Sequence, residues 1–400
     1  MRHTIKFIIL FSFIFSVTNF IPISVLVVSL VPLGLIGIFY KSSFLKTQKI
    51  ELYILLLFCY ITISTLYYDP TSFQDFDFYR RDGNFFISYL VLFVFVFMPI
   101  GFNINIDTTI KYAFTLFFVV SLFAYVFIPP EEAGVQHFLF VSHNAAGGFY
   151  SVVCAISVGL YLSRRSLIYL LYASAFFFFL YASNSRGSIL AIFCAVGYGL
   201  FKFKKPGLML SIFILVQFIV VIDTYPVWVS TGKIMSENAN FTISQSVDFQ
   251  RAGTFIDRLY YLWPRAFDNF IHSPIFGIGF GSFDDLYYKY IDVVPYLFSV
   301  KDGAVLRHTD AHAHNSTFTI LAELGIVGYI LFILVFSQIN KKILGVKKYD
   351  EGLSLALNLA FWTCIFSSAT EHRITTPTQM IPFFIVFGIA YVKYYGKKND

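Results

Sequence analysis

Apolar residues along this chain neither alternate nor form narrow helical stripes. They come in runs of about 17–20 residues, each long enough to cross the hydrocarbon core of a bilayer as a helix. Runs near 5–19, 21–40, 51–68, 85–101, 111–129, 145–163, 166–182, 187–203, 207–224, 316–336, 354–371 and 378–395 predict an all-α polytopic membrane protein of about twelve transmembrane helices. The segment Met1 to Phe20 has the outline of a signal peptide. It lacks a small-residue cleavage site and leads straight into further apolar sequence, so it reads as a retained first helix. The one long interruption, Thr224 to Asn315, divides the chain into 1–224 with nine spans, a polar loop over 225–315, and 316–400 with three spans. No internal repeat or low-complexity stretch is visible, and a transporter built from two matched halves would divide more evenly.

The short polar segments set the orientation. Lysine and arginine gather at Lys41, Lys46 and Lys49, at Arg164-Arg165, at Lys202, Lys204 and Lys205, at Lys341-Lys342 with Lys347-Lys348, and at Lys393, Lys397 and Lys398. The positive-inside rule puts these clusters in the cytoplasm, with both termini inside and the 225–315 loop outside. Composition agrees with a membrane class: 57% of residues are hydrophobic and only 13% charged, about half the charge of a soluble protein. The net charge of +6 is spread over these loops, which argues against nucleic-acid binding. Cys59, Cys154, Cys194 and Cys364 all lie inside apolar runs, so neither disulfides nor a cysteine metal site is expected.

Function must then be sought in the polar residues that such a chain retains. Arg186, in Ser185-Arg186-Gly187-Ser188, stands at the outer mouth of the eighth span, where small neighbours permit close helix approach. It either snorkels to headgroups or points into a cavity. Arg251, Arg258 and Arg265 are spaced by seven and would share a face of one helix, but Pro264 predicts a kink or restart after a helix near 254–263. Such arginines suit either an interfacial helix or a guanidinium clamp on pyrophosphate. Gly277, Gly279 and Gly281 form a GxGxG run without the Lys-Ser/Thr of a P-loop, which predicts a tight irregular turn. His308, His312 and His314 precede the tenth span with Asp310 among them, in no spacing that carries a clear metal mechanism, so no metal is expected. His314-Asn315 stands where a helix begins, a suitable place for a general base. Glu323 lies inside the tenth span, Glu371-His372-Arg373 ends the eleventh, and His143-Asn144 opens the sixth. The predicted topology brings Arg186, the loop arginines, His143, His314, His372 and Arg373 to one side of the membrane.

Four pieces in this order resemble the O-antigen ligase and O-antigen polymerase superfamily with its Wzy-type C-terminal region. They are Ser142-His-Asn-Ala-Ala146, Asn184-Ser-Arg-Gly-Ser188, Arg258 to Phe283, and His312-Ala-His-Asn315 leading into Leu321-Ala-Glu-Leu-Gly-Ile-Val-Gly328. The resemblance is strongest from about 140 to 335 and implies a GT-C-like membrane glycosyltransferase of a Gram-negative inner membrane, with the site facing the periplasm. It implies an undecaprenyl-pyrophosphate-linked glycan as donor, inversion at the sugar, and no metal or other cofactor. The acceptor would be lipid A–core for a ligase or a second lipid-linked glycan for a polymerase, with ligase favoured on the SRG and HAHN pieces together. Carried over by motif, Arg186 and Arg258 hold the pyrophosphate, and His314 orients or deprotonates the acceptor. Arg265 and Arg251 are further phosphate candidates, Asn315 and His312 line the same site, and Glu323, His143, Asn144, His372 and Arg373 are secondary candidates. A lipid-glycan flippase is the reading from another class. It would need polar residues on both sides of the midplane, whereas here they concentrate on the outer side.

Overall fold

A computed structural model describes residues 48–68, 70, 84–97, 105–130, 134–140, 142–201, 206–237, 258–283, 287–288, 291–292, 298–301, 304–307, 313–374 and 376–395. Ten long helices occupy ten of the predicted spans: α1 (Lys49–Tyr68), α2 (Asn84–Phe97), α3 (Ile106–Phe127), α4 (His143–Arg164), α5 (Leu167–Ala182), α6 (Arg186–Phe201), α7 (Pro206–Glu237), α9 (Ser316–Val346), α10 (Glu351–Ser368) and α11 (Pro377–Tyr395). The first two predicted spans, 5–19 and 21–40, lie outside the described residues, as do Arg251, His308 and His312. Among the described residues, five helices are long and apolar enough to cross a membrane, and shorter apolar helices stand beside them.

The boundaries follow from side-chain caps. Asn105, Ser142, Asn315 and Asp350 each accept a hydrogen bond from a backbone N–H in the first turn of α3, α4, α9 and α10. Two helices outrun their apolar runs: α7 continues past Thr224 to Glu237 with Pro226 inside it, and α9 runs on to Val346. Helix α4 is the centre of the bundle, packed by α5, α6, α10 and α11, while α2 lies against α11. Lipid tails are as apolar as the side chains, so the bundle relies on close packing. A Cβ at Gly159 would lie 2.4 Å from Ala356 Cα, which is how tightly α4 meets α10. The rest of the interior is aromatic, with ring centroids 5.1 Å apart for Phe117–Phe149, 4.9 Å for Phe138–Tyr150 and 5.0 Å for Tyr89–Phe384. Apolar side chains on the rims of α1, α3 and α7, such as Ile63, Phe123 and Ile219, point outward, as lipid-facing residues do.

Pro264 acts as predicted. A π-helical turn, Arg258–Leu262, gives way to α8 (Trp263–His272), with the proline in the first turn, where its missing N–H has no cost. The loop also holds two antiparallel pairs that the helical reading did not foresee: β1 (Tyr287–Tyr288) with β2 (Ile291–Asp292), and β3 (Phe298–Lys301) with β4 (Ala304–Arg307). In the second pair, Lys301 faces Ala304 across Asp302-Gly303, a two-residue hairpin signal present in the sequence.

Candidate functional site

Alternation of the helices brings the start of α4, the end of α5, the starts of α6, α9 and α11, and the end of α10 to one end of the bundle. The other end carries Arg164, held by Asp107 of α3 and by Asp350 at 2.9 Å. At the first end the turn between α10 and α11 carries Glu371, and three basic residues surround it. Arg258 Nη2 donates to Glu371 Oε1 at 2.6 Å, and its Nη1 donates to the Thr370 carbonyl at 2.9 Å. His314 Nδ1 stands 3.1 Å from Glu371 Oε2. Arg373 is buried nearby, with Nη2 3.5 Å from the hydroxyls of Ser185 and Ser188.

These contacts fix the electrostatics. Burial raises the Glu371 carboxyl, but the His314 hydrogen bond and the charges of Arg373 and Arg258 outweigh it and hold the group at about 2. Burial lowers the Arg373 guanidinium and Glu371 raises it again; an arginine remains charged through such a shift. One carboxylate therefore faces two guanidinium groups, and the cluster keeps excess positive charge in a setting of reduced dielectric. The start of α6 adds to it. A Cβ on Gly187 would lie 2.8 Å from Thr370 Oγ1 and 3.4 Å from Glu371 Cγ, so glycine lets the Ser-Arg-Gly-Ser turn sit against the Glu371 turn. The positive end of the α6 dipole points at this region. Arg186, the first residue of α6, is exposed there.

His314 has φ 48°, a left-handed conformation uncommon for a residue with a Cβ, and its side chain is 32% exposed. Residues held this way cluster at functional sites. The next residue holds it there. Asn315 Oδ1 accepts from Thr317 N and Phe318 N, while its Nδ2 donates to Gln217 Oε1 at 3.0 Å and to the Ala369 carbonyl at 3.1 Å. Fully buried and fully hydrogen-bonded, Asn315 anchors the start of α9.

The other candidates part company. Arg258 enters the cluster, whereas Arg265 is 1% exposed on α8 with its guanidinium 5.2 Å from the centre of the Phe283 ring. Glu323 is buried in α9. Asn144 Oδ1 accepts from Ser185 Oγ at 3.4 Å, His143 opens α4, and His372 is half-buried between Glu371 and Arg373. Sequence reasoning marked the Glu371-His372-Arg373 segment but not Glu371 as its hub, since an acidic residue at the end of a span carries no signal of its own partners. It missed Gln217 altogether, although an amide inside the apolar run of α7 was such a signal.

A helical bundle of membrane-spanning character, with a basic cluster around one buried carboxylate at one end, offers an anionic group a place of excess positive charge. Residues 168–333, from α5 to the middle of α9, match the family model described as O-antigen ligase, which supports a likeness to the O-antigen ligase and polymerase superfamily over that part of the chain. The match supports a membrane transferase in general terms. The match includes Arg186, Arg258 and His314 but ends before Glu371 and Arg373. No curated protein matches the chain.

Proposed function

We propose that this protein transfers a glycan from undecaprenyl pyrophosphate onto lipid A–core on the periplasmic side of the inner membrane, as an O-antigen ligase. The observation that carries this reading is the gathering of Arg258, Arg373 and His314 around the single carboxylate of Glu371, with Arg186 at the adjoining helix start.

The chemistry needs little more. Pyrophosphate is already a good leaving group, so the enzyme supplies cations where negative charge collects as the C–O bond breaks. Arg186, exposed and free of the Glu371 pairing, is suited to the distal oxygens, and Arg258 to the oxygen next to the sugar. Glu371, ionised throughout the physiological range, accepts a hydrogen bond from Nδ1–H of His314 and so leaves the lone pair on Nε2. Nε2 then takes the proton of the acceptor hydroxyl while that oxygen attacks the anomeric carbon from the face opposite the leaving group. One glycosidic bond forms, the sugar–phosphate bond breaks, and undecaprenyl pyrophosphate departs with the electron pair. Charge stabilisation by arginine makes this route independent of metal.

The test is glycan distribution in cells lacking the gene. Long chains stranded on the lipid carrier, with core left bare, are the expected result. Core bearing a single repeat unit would instead identify a polymerase, and an unchanged distribution would refute the glycan reading.

A further inference from the structure

Helix α9 is not continuous. Gly325 has φ 62° and ψ −165°, which no helix contains, and the nine residues before it form a separate outer piece, Ser316–Leu324. In an unbroken helix Ile326 N would donate to the Ala322 carbonyl and Val327 N to that of Glu323. Here Ile326 N donates to Pro274 O at 2.9 Å and Val327 N to Ile275 O at 3.2 Å, while Ala322 O and Glu323 O accept from Ile278 N and Gly279 N, both at 3.0 Å. The strap 273–279 thus lies in the break and replaces two helical rungs with four hydrogen bonds of its own.

Only glycine fits the crossing. A Cβ on Gly277, at φ 73°, would meet Glu323 C and O at 2.2 Å. One on Gly325 would meet Ile275 O at 2.4 Å and Gly277 N at 2.6 Å. Helix α1 latches the assembly: Tyr68 Oη donates to Gly277 O at 2.8 Å, and Tyr60 Oη lies 2.8 Å from Leu324 O and 2.9 Å from Phe276 O. The strap follows α8 directly, joined by Ser273 N to Asn269 O, and α8 follows the π turn that carries Arg258. Trp263 and Ala266 of α8 pack on Phe318 and Ala322 of the outer piece. One chain segment, 258–279, therefore reaches both Arg258 and the only break in the described part of α9.

We infer that the strap positions Ser316–Leu324 independently of the inner part of α9, with Gly277 and Gly325 as positioning residues, so that the segment bearing Arg258 sets where His314 stands. This rests on the transferase reading above. It means that engagement of the donor by Arg258 and placement of the base at His314 are one mechanical event.

The experiment uses the full chain in lipid nanodiscs. Tyr60→Phe and Tyr68→Phe each remove one latch hydroxyl without adding bulk, Gly277→Ala drives a methyl into the crossing, and Ile330→Ala, on the exposed side of α9, is the control. Amide exchange of 316–324 and steady-state transfer from a defined undecaprenyl-pyrophosphate glycan are measured together. The expected result is faster exchange in 316–324 and a kcat lowered about fivefold for each tyrosine variant, with donor KM unchanged. Faster exchange with unchanged kcat would overturn the inference, as would unchanged exchange, or a rise in donor KM alone. Loss of folding in Gly277→Ala leaves the tyrosine pair to decide. His314→Ala is assayed alongside: full transfer by that variant would refute the transferase chemistry, whereas the exchange arm reports on the strap alone.

Discussion

Replacing Glu371 with glutamine removes one negative charge and changes nothing else in size. The carboxyl is held at about 2 instead of its ordinary 4.5, a preference for the charged form of roughly 3 kcal/mol. A second route gives a similar figure. Arg373 is only 3% exposed, and stranding a buried charge by removing its partner costs about 3–5 kcal/mol. The functional loss has its own cause. A glutamine oxygen still accepts from Arg258, but its N–H₂ cannot accept from His314 Nδ1–H. The imidazole is then free to adopt the other tautomer, with Nε2 protonated and useless as a base. Glu371→Gln is therefore expected to lower transfer at least about 100-fold, in line with loss of a positioned general base, and to lower the unfolding midpoint. The assay is release of undecaprenyl pyrophosphate by purified protein, scaled to the folded fraction from size-exclusion chromatography. A glutamine variant that transfers at the parent's rate would refute both the tautomer argument and the role of Glu371 as hub.

Arg258→Lys is expected to lose most transfer, because a single ammonium nitrogen does not reproduce the planar fork whose Nη1 and Nη2 reach Thr370 O and Glu371 Oε1 separately; donor titration of the purified variant measures it. Arg186→Ala should fold and insert like the parent, since the side chain is exposed, yet lose transfer, and Arg186→Lys should be poor as well; a fully active lysine variant would remove the bidentate clamp. Gly147→Ala is expected to disturb the site from behind, because its Cβ would lie 2.1 Å from Ser185 Cβ and push the Ser-Arg-Gly-Ser turn outward; reduced thermal stability together with weaker donor binding is the readout. Acid should act through Glu371. Because its folded value lies below its unfolded one, its stabilisation is complete above pH 4.5 and is lost as the pH falls toward about 2. The stability gap between parent and Glu371→Gln should close over that window.

The long-range architecture was legible because a bilayer leaves few choices: apolar run length gives helices, and ten described helices fall on ten predicted spans. Pro264 gave the restart of α8, and the three glycines gave an irregular turn. What could not be read was where that turn goes. Nothing in the Leu321 to Gly328 segment states that the carbonyls of Ala322 and Glu323 accept from Ile278 and Gly279 in a distant strap, because backbone partners across a break leave no periodic trace. Spacing by seven aligned Arg258 with Arg265 on paper, whereas Arg258 pairs with Glu371 and Arg265 lies against Phe283. Asn315 stands at a helix start, where a short polar side chain can serve as a cap, and its four partners, Gln217 and Ala369 among them, were not legible in the sequence. Glu371 was visible as a charge, but its meaning depended on Arg258 and His314 from distant parts of the chain as well as on its neighbour Arg373.

The central claim, that the cluster around Glu371 breaks a sugar–phosphate bond, is tested most directly by reconstituted transfer. Purified protein in nanodiscs would be given a defined undecaprenyl-pyrophosphate glycan and lipid A–core, and both products would be followed by mass. The account requires one undecaprenyl pyrophosphate released for each glycan moved to core, with neither product formed by His314→Ala. A donor left intact by active parent protein, or equal turnover by parent and His314→Ala, would contradict it.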